Sequence, residues 1–506
     1  MNVLFVMQSP GYVRNYESVI KGLLARGHRL HLAFERPQKY GEYIALLANE
    51  PNAANLSVSA VPKRKDRWSR LANELRSVTD YVRYLDPRFR GAEGLRHRMD
   101  KKLPGYAARL SRLPYLPTWV VSLMLRVLSM AETAIPSDPG REAYIAKLAP
   151  DVVLVTPLVT IAASETDSLK SALALGLPTA LCVGSWDHLT TKGMIRVKPD
   201  RLIVWNETQV REAAEFHDFP RSRVLVTGAQ LFDQWFERQP SIGPKKFRAR
   251  VGLDITQPFV LFCGSTSSIS PPEMEAQFVR RWLTALRQAE NPAVRNAGVL
   301  IRPHPYNAQH WADVDLSEFA NVAVWQHRSV ATSDSDDKAM HFQEEGRAGY
   351  FDSLYYARAV VGVNSSSLIE AAVVGRPVLT VLAKEFEATQ LGTLHFRYLL
   401  PENGGFLRTS RSLEEHIQQL IPILTTKDAA PETRAFVARF VRPRGLDVPA
   451  TDQMIEAIEG LPAAVGAKKQ HSEPYWARWL RVVLARMADR TNRAAAARRA
   501  VATADG

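Results

Sequence analysis

Short runs of β-branched and apolar residues alternate along this chain with longer segments whose apolar positions recur every three to four residues. That rhythm belongs to parallel strands buried on both faces and separated by helices. In the first half, residues 3–7, 29–34, 152–156, 178–183, 201–205 and 224–227 read as strands. A helix is predicted over about 16–25, with Gly27 closing it. In the second half, strands are predicted at 259–263, 298–301, 322–324, 359–363 and 378–381, with a long helix over about 272–289. The pattern predicts an α/β protein of two Rossmann-like lobes. The first lobe is placed at 1–239, the linker at 240–244 where Pro, Ser and Gly cluster, and the second lobe at 245–461.

Two stretches break the rhythm. From 63 to 112, Lys and Arg outnumber Asp and Glu more than two to one, with Trp68, Tyr81, Tyr84, Phe89 and Tyr106 interleaved. This reads as a helical insertion of about 63–145 in the first lobe, continued by an apolar helix over 118–130. It is either a solvated basic face or a surface for an acceptor or an anionic lipid. Residues 462–506 form a tail in which Trp476, Trp479, Leu480, Val483, Leu484 and Met487 share one helical face while Arg478, Arg481 and Arg486 avoid it. Such a helix docks on a lobe or lies in a membrane interface. The Ala- and Arg-rich end, 492–506, is expected to fray, and the polar stretch 326–349, with Asp334, Asp336, Asp337, Glu344 and Glu345, to form a loop.

Composition narrows the class. With 46% hydrophobic residues over 506 positions, the chain has ample material for a core, and disorder is excluded as its main character. A formal charge of +13 implies an acidic partner: a nucleoside diphosphate or an anionic membrane surface. No nucleic-acid module accompanies that charge. The two cysteines, Cys182 and Cys263, sit inside apolar strand-like runs, which points to a reducing, cytoplasmic setting. The N-terminus reads as a strand and not as a signal peptide, and no run approaches the roughly 20 apolar residues of a spanning helix. A peripheral place on the inner face of the cell membrane is the further expectation. No metal is expected: the cysteines are far apart, no His pair has ligand spacing, and the Asp-rich stretch lacks the order of a calcium loop.

The chemistry concentrates at 359–382, AVVGVNSSSLIEAAVVGRPVLTVL. A buried strand delivers Asn364, Ser365, Ser366 and Ser367 to a helix start, where hydroxyls and unpaired N–H groups favour an anion. Glu370, one turn on, is near enough to accept from sugar or ribose hydroxyls. The strand 259–263 likewise opens into Gly264, Ser265 and Thr266, small residues that let backbone approach phosphate. After 298–301 come Arg302-Pro-His304-Pro, where two prolines stiffen the presentation of a histidine able to hold a phosphate oxygen or protonate a leaving group. Arg302 offers a bidentate fork. In the first lobe, Gly11 and Arg14 follow strand one. The stretch from Gly184 places Trp186 for stacking on a sugar, Asp187 and His188 as candidate general bases, and Lys192 for an anionic acceptor.

Asn364-Ser-Ser-Ser-x-x-Glu370 followed by Gly375-Arg-Pro-Val resembles the donor-binding segment of GT-B glycosyltransferases and their relatives, the UDP-GlcNAc 2-epimerases and CDP-glycerol phosphotransferases. Residues 260–268 and 300–307 extend the resemblance, and Arg302-Pro-His-Pro is similar to an element of the phosphotransferases. The resemblance implies that the small residues contact a diphosphate, that Glu370 holds the ribose, and that no metal or other cofactor is needed. A nucleotide-sugar donor would bind the second lobe, and a glycan or lipid-linked acceptor the first. Glycosyl transfer is the leading expectation. Polyol-phosphate transfer, UDP-sugar 2-epimerisation and non-catalytic nucleotide binding are its rivals.

Overall fold

A computed structural model describes residues 1–37, 47, 50–325, 344–426, 430–466 and 474–504. The polar residues 326–343, including Asp334, Asp336 and Asp337, lie outside the described residues. The chain folds as two compact units, one of residues 1–231 with 447–506 and the other of residues 232–446.

The first unit is built on seven parallel strands in the order β3-β2-β1-β4-β5-β6-β7. These are β1 (Asn2–Met7), β2 (Arg29–Phe34), β3 (Leu56–Ala60), β4 (Val152–Thr156), β5 (Thr179–Cys182), β6 (Arg201–Val204) and β7 (Val224–Val226). The order reverses between β1 and β4, so the carboxyl ends of those strands frame the crevice where such sheets take ligands. One face packs on α1 (Val13–Ala25) through Val19, Ile20 and Leu23, and the other buries Val153, Val155 and Leu169.

The insertion is helical, as expected, with α2 (Trp68–Arg83) and α3 (Thr118–Ala134), but its basic residues are not simply a solvated face. Arg76 is buried between Glu132 of α3 and Asp167 of α4 (Glu165–Ala174), with contacts of 2.8–3.0 Å. Arg64 reaches Asp167 at 2.9 Å, and Lys170 reaches Glu132 at 3.1 Å. Arg196 pairs with Asp80, which also accepts from the Ala162 and Met194 amides at 2.8 Å. Arg64 and Arg76 of this segment are therefore paired in the interior, while Lys63, Lys65, Arg67, Lys101 and Lys102 stay exposed.

The second unit holds six parallel strands in the order β10-β9-β8-β11-β12-β13. They are β8 (Phe259–Cys263), β9 (Gly298–Arg302), β10 (Val322–Val324), β11 (Ala359–Gly362), β12 (Val378–Val381) and β13 (Arg408–Ser410). Around them lie α5 (Pro272–Gln288), α6 (Glu344–Tyr356) and α7 (Ser366–Val373). Phe262, Trp282, Val299, Ile301 and Val361 share its core. Glu344, expected in a loop, opens α6.

Two boundaries differ from expectation. The first unit ends at Leu231, ahead of the anticipated 239, and residues 447–461 belong with it and not with the second. The cause is α8 (Ala450–Glu459), whose Met454, Ile455 and Ile458 pack on α1 while Glu459 accepts from Arg26 at 2.8 Å and lies 2.7 Å from the His28 ring. The terminal helix α9 (Tyr475–Ala504) runs through the stretch expected to fray. It docks on α2 and α3 through Ala477, Leu484 and Ala488, with Leu480 packed against them. Leu480 and Leu484 belong to the apolar face the sequence suggested, whereas Trp476, Trp479, Val483 and Met487 of that face stay exposed.

Candidate functional site

In the second unit the three anticipated turns meet. β9, β8 and β11 are adjacent, and all run parallel, so their carboxyl ends open at one rim, at the switch point between β8 and β11. The Gly264 N–H donates to the Arg302 carbonyl at 2.8 Å. A β-carbon on Gly264 would stand 2.9 Å from the His304 nitrogen and 3.1 Å from Pro303 Cα, so only glycine lets the first two turns close on each other. Asn307 binds the Ser265 carbonyl at 2.9 Å and ties the second turn to the first again.

Each anticipated residue then acquires a definite place. Ser265 is buried; its N–H donates to Glu275 at 2.8 Å, which turns it inward, and half-buried Thr266 bonds Ser268 at 2.8 Å. Burial pushes the Glu275 carboxyl up to about 8 against the opposing hydrogen bond from Ser265. His304 caps the turn Pro305–Asn307, its Nδ1 accepting from the Tyr306 N–H at 3.2 Å. A neutral His304 ring therefore carries its proton on Nε2, the tautomer that donates to a phosphate oxygen. Ser365 is the N-cap of α7, accepting from the Ser367 N–H at 3.3 Å and from its hydroxyl at 3.0 Å, while Ser366 is exposed in the first turn. Glu370 accepts from the Tyr350 hydroxyl.

Two residues assigned to the donor do other work. Arg302 was expected to present a bidentate fork, but it is buried, its guanidinium 4.1 Å from the Trp325 ring centre and 5.2 Å from that of Tyr350. It donates to the Gly349 carbonyl at 2.9 Å, and burial pulls its pKa down to about 10. It is a pillar behind the rim. Asn364 is likewise buried and donates to the Thr389 carbonyl, so the cap falls to Ser365. A cavity of about 480 Å³ beyond β12 and β13, lined by Phe278, Arg281, Lys384 and Arg411 among others, includes none of the three turns.

In the first unit, Gly11 lies in the turn Pro10–Tyr12 after β1, and Arg14 is exposed on the first turn of α1. Asn15 donates to the Gly184 carbonyl at 2.9 Å and Tyr16 to that of Cys182 at 2.8 Å, so the turns after β1 and β5 are tied together. A β-carbon on Gly184 would meet the Tyr16 hydroxyl at 2.8 Å. Asp187 accepts from Ser185 at 2.5 Å and Thr191 at 2.9 Å and lies 3.6 Å from Lys192. Those contacts fix the helical turn His188–Thr191 and orient Asp187 together with Lys192.

Trp186 was expected to stack on a sugar and is instead buried in the unit. His188 was a candidate base, but burial drives its pKa down to about 3, which leaves a neutral ring of very low basicity.

The sequence reading missed Glu165 and Tyr12. Glu165 opens α4 fully buried, and its carboxyl oxygens make no hydrogen bond to another residue. Burial, aided by Glu35, pushes its carboxyl up to about 8. Burial raises the Tyr12 phenol too, with the charges of Glu165 and Asp187 adding to the shift. Nothing in the local pattern ETDSLK marks Glu165, because its environment is assembled from distant segments. Among the described residues, no group of three or more His, Cys, Asp or Glu is placed to hold a metal.

Two parallel Rossmann-like units, the second with its rim of small residues, make this a GT-B fold. No family model and no curated protein matches the sequence. Solved structures share the architecture. The UDP-GlcNAc 2-epimerase of Methanocaldococcus jannaschii matches with a TM-score of 0.51 at 10% identity, over 91% of this chain and 99% of that one. The putative UDP-N-acetylglucosamine 2-epimerase of Listeria monocytogenes gives 0.50 at 11%, over 94% and 99%. A glycosyltransferase from Rickettsia africae ESF-5 gives 0.50 at 11%, over 92% and 98%. At this identity the likeness establishes the fold.

Proposed function

We propose that the chain is a glycosyltransferase that moves a sugar from a nucleoside diphosphate donor to a glycan or lipid-linked acceptor. One observation carries the reading: the Gly264, His304 and Ser365–Ser366 turns stand at the carboxyl ends of three adjacent strands, with the first two locked by a contact only glycine permits. A diphosphate there would meet the start of α7, the Thr266 hydroxyl and the Nε2–H of His304. Glu370, oriented by Tyr350, is assigned to a ribose hydroxyl. Leaving-group charge would be held by these donors, without a metal. The acceptor side is assigned to Gly11, Arg14 and Lys192, with Asp187 as base.

A second reading, epimerisation of the same nucleotide sugar, is favoured by Glu165. A carboxyl held neutral near pH 7, with Tyr12 in its electrostatic reach, is the acid that proton exchange on a bound sugar needs.

Incubation with UDP-GlcNAc, UDP-glucose, GDP-mannose and CDP-glycerol, with and without EDTA, separates these readings. Slow release of UDP or GDP that persists in EDTA supports glycosyl transfer. Inversion at sugar C2 seen by NMR supports epimerisation, and CMP release supports polyol-phosphate transfer. Donors left intact, with no thermal stabilisation by any of them, would reduce the chain to a scaffold and overturn the proposal.

A further inference from the structure

Helices α3 and α9 pack on each other within the first unit, and each leaves an apolar stripe uncovered. On α3, Trp119, Leu123, Val127 and Met130 recur at helical spacing and are exposed, Trp119 by 71%. On α9, Tyr475, Trp476, Trp479, Val482, Val483 and Met487 are exposed, Trp479 by 79%, because the helix docks through Ala477, Leu484 and Ala488 instead. Large aromatic and aliphatic side chains gathered this way mark an interaction surface.

The charges around the stripes choose the occupant. Arg126 of α3 and Arg478, Arg486, Arg490 and Arg493 of α9 are exposed. The acids are spent: Glu132 is buried in the Arg76 pair, and Asp489 lies 3.8 Å from Arg67. Just ahead of α3, Lys101, Lys102, Arg109 and Arg112 are exposed beside Tyr106, and residues 101–117 contain no acid. A second copy of this face would meet it with like charge. An anionic bilayer offers apolar depth to the stripes and negative charge to the arginines.

We propose that α3 and α9 together form a membrane-docking face, with Trp119 and Trp479 as its interfacial anchors and the flanking arginines on anionic headgroups. The face rests on the membrane and does not cross it. Among the described residues no single helix is long and apolar enough to span. The bent pair of Thr118–Ala134 with Pro139–Leu148 meets the length and composition of a span, but Arg141 in its second helix is buried against Glu35, with an Nη2–Oε2 distance of 2.9 Å. The proposal deepens the reading of a lipid-linked acceptor, yet its test uses no nucleotide, so either can fail alone.

The test is co-sedimentation of the full chain with phosphatidylcholine vesicles, with or without phosphatidylglycerol, at low and high salt. Binding is expected to the anionic vesicles and to weaken with salt. Trp119→Ser with Trp479→Ser should abolish it at unchanged Tm. Arg478→Glu with Arg486→Glu should weaken it by about fivefold or more per position. Three results would each overturn the proposal: no binding to either vesicle, binding indifferent to the tryptophan pair, or a vesicle-independent dimer that the tryptophan pair dissolves.

Discussion

Gly264 lies so close to His304 that a single methyl group on it would come 2.9 Å from the His304 backbone nitrogen. The close approach sets the spacing of two of the three turns at the rim. Gly264→Ala must push them apart, at a cost of about 1–3 kcal/mol of the kind seen for overpacking. Thermal melts should show the lower Tm, and stabilisation by nucleotide should vanish with it. An alanine variant as stable as the parent would separate the turns.

Arg302 gives the opposite kind of prediction, since it supports the rim from behind. Arg302→Ala removes the stack on Trp325 and Tyr350 and the bond to the Gly349 carbonyl. Stability is expected to fall by about 2 kcal/mol or more. A phosphate ligand would behave differently: nucleotide affinity would drop while denaturant midpoints stayed put.

The buried pairs beneath the insertion make it a structural part of the first unit. Arg76→Met leaves Glu132 and Asp167 without their shared partner. Arg76 holds the Glu132 carboxyl down to about 2 against the cost of burial, so both acids stay charged. A loss of about 3–5 kcal/mol is expected in urea denaturation.

Stability should fall with alkali before any lysine titrates. Glu165 and Glu275 have folded pKa values of about 8, above the 4.5 of the free side chain, so their protons favour the folded state. That contribution is complete below pH 4.5 and drains away as pH rises to about 8, by about 1.4 kcal/mol per pH unit for each group. Above pH 7, His188, His217 and His416, whose pKa values burial lowers, no longer contribute, because they are neutral folded and unfolded alike. Glu165→Gln should flatten the slope of denaturant stability between pH 7 and 8. An unchanged slope would mean the carboxyl is ionised in the folded chain.

Much of this was legible beforehand. The central strands announced themselves, since runs such as FVLFC and VVLVT are apolar on both faces and bounded by turn residues. The edge strands β3 and β13, LSVSA and RTS, did not, because an edge needs no continuous apolar run. The three turns were legible because strand ends and small residues are local signals. The inward turn of Arg302, Trp186 and Asn364 was not, because it depends on partners such as Trp325 and Thr389 that another segment supplies. The docking face of α9 was legible only in part for a related reason: Leu480 and Leu484 turn inward as hydropathy suggests, but the neighbouring helices accept the alanines beside them and leave the tryptophans out.

The shared rim is tested most directly by calorimetric titration of UDP, GDP and CDP into the full chain and into Ser366→Asp. Aspartate in the first turn suits a helix start, so the variant should melt no lower than the parent, yet its charge opposes a diphosphate at that point. Saturable binding of at least one nucleotide, weakened about tenfold or more by Ser366→Asp, is the predicted result. Silence from all three nucleotides, or equal binding to parent and variant, would contradict it.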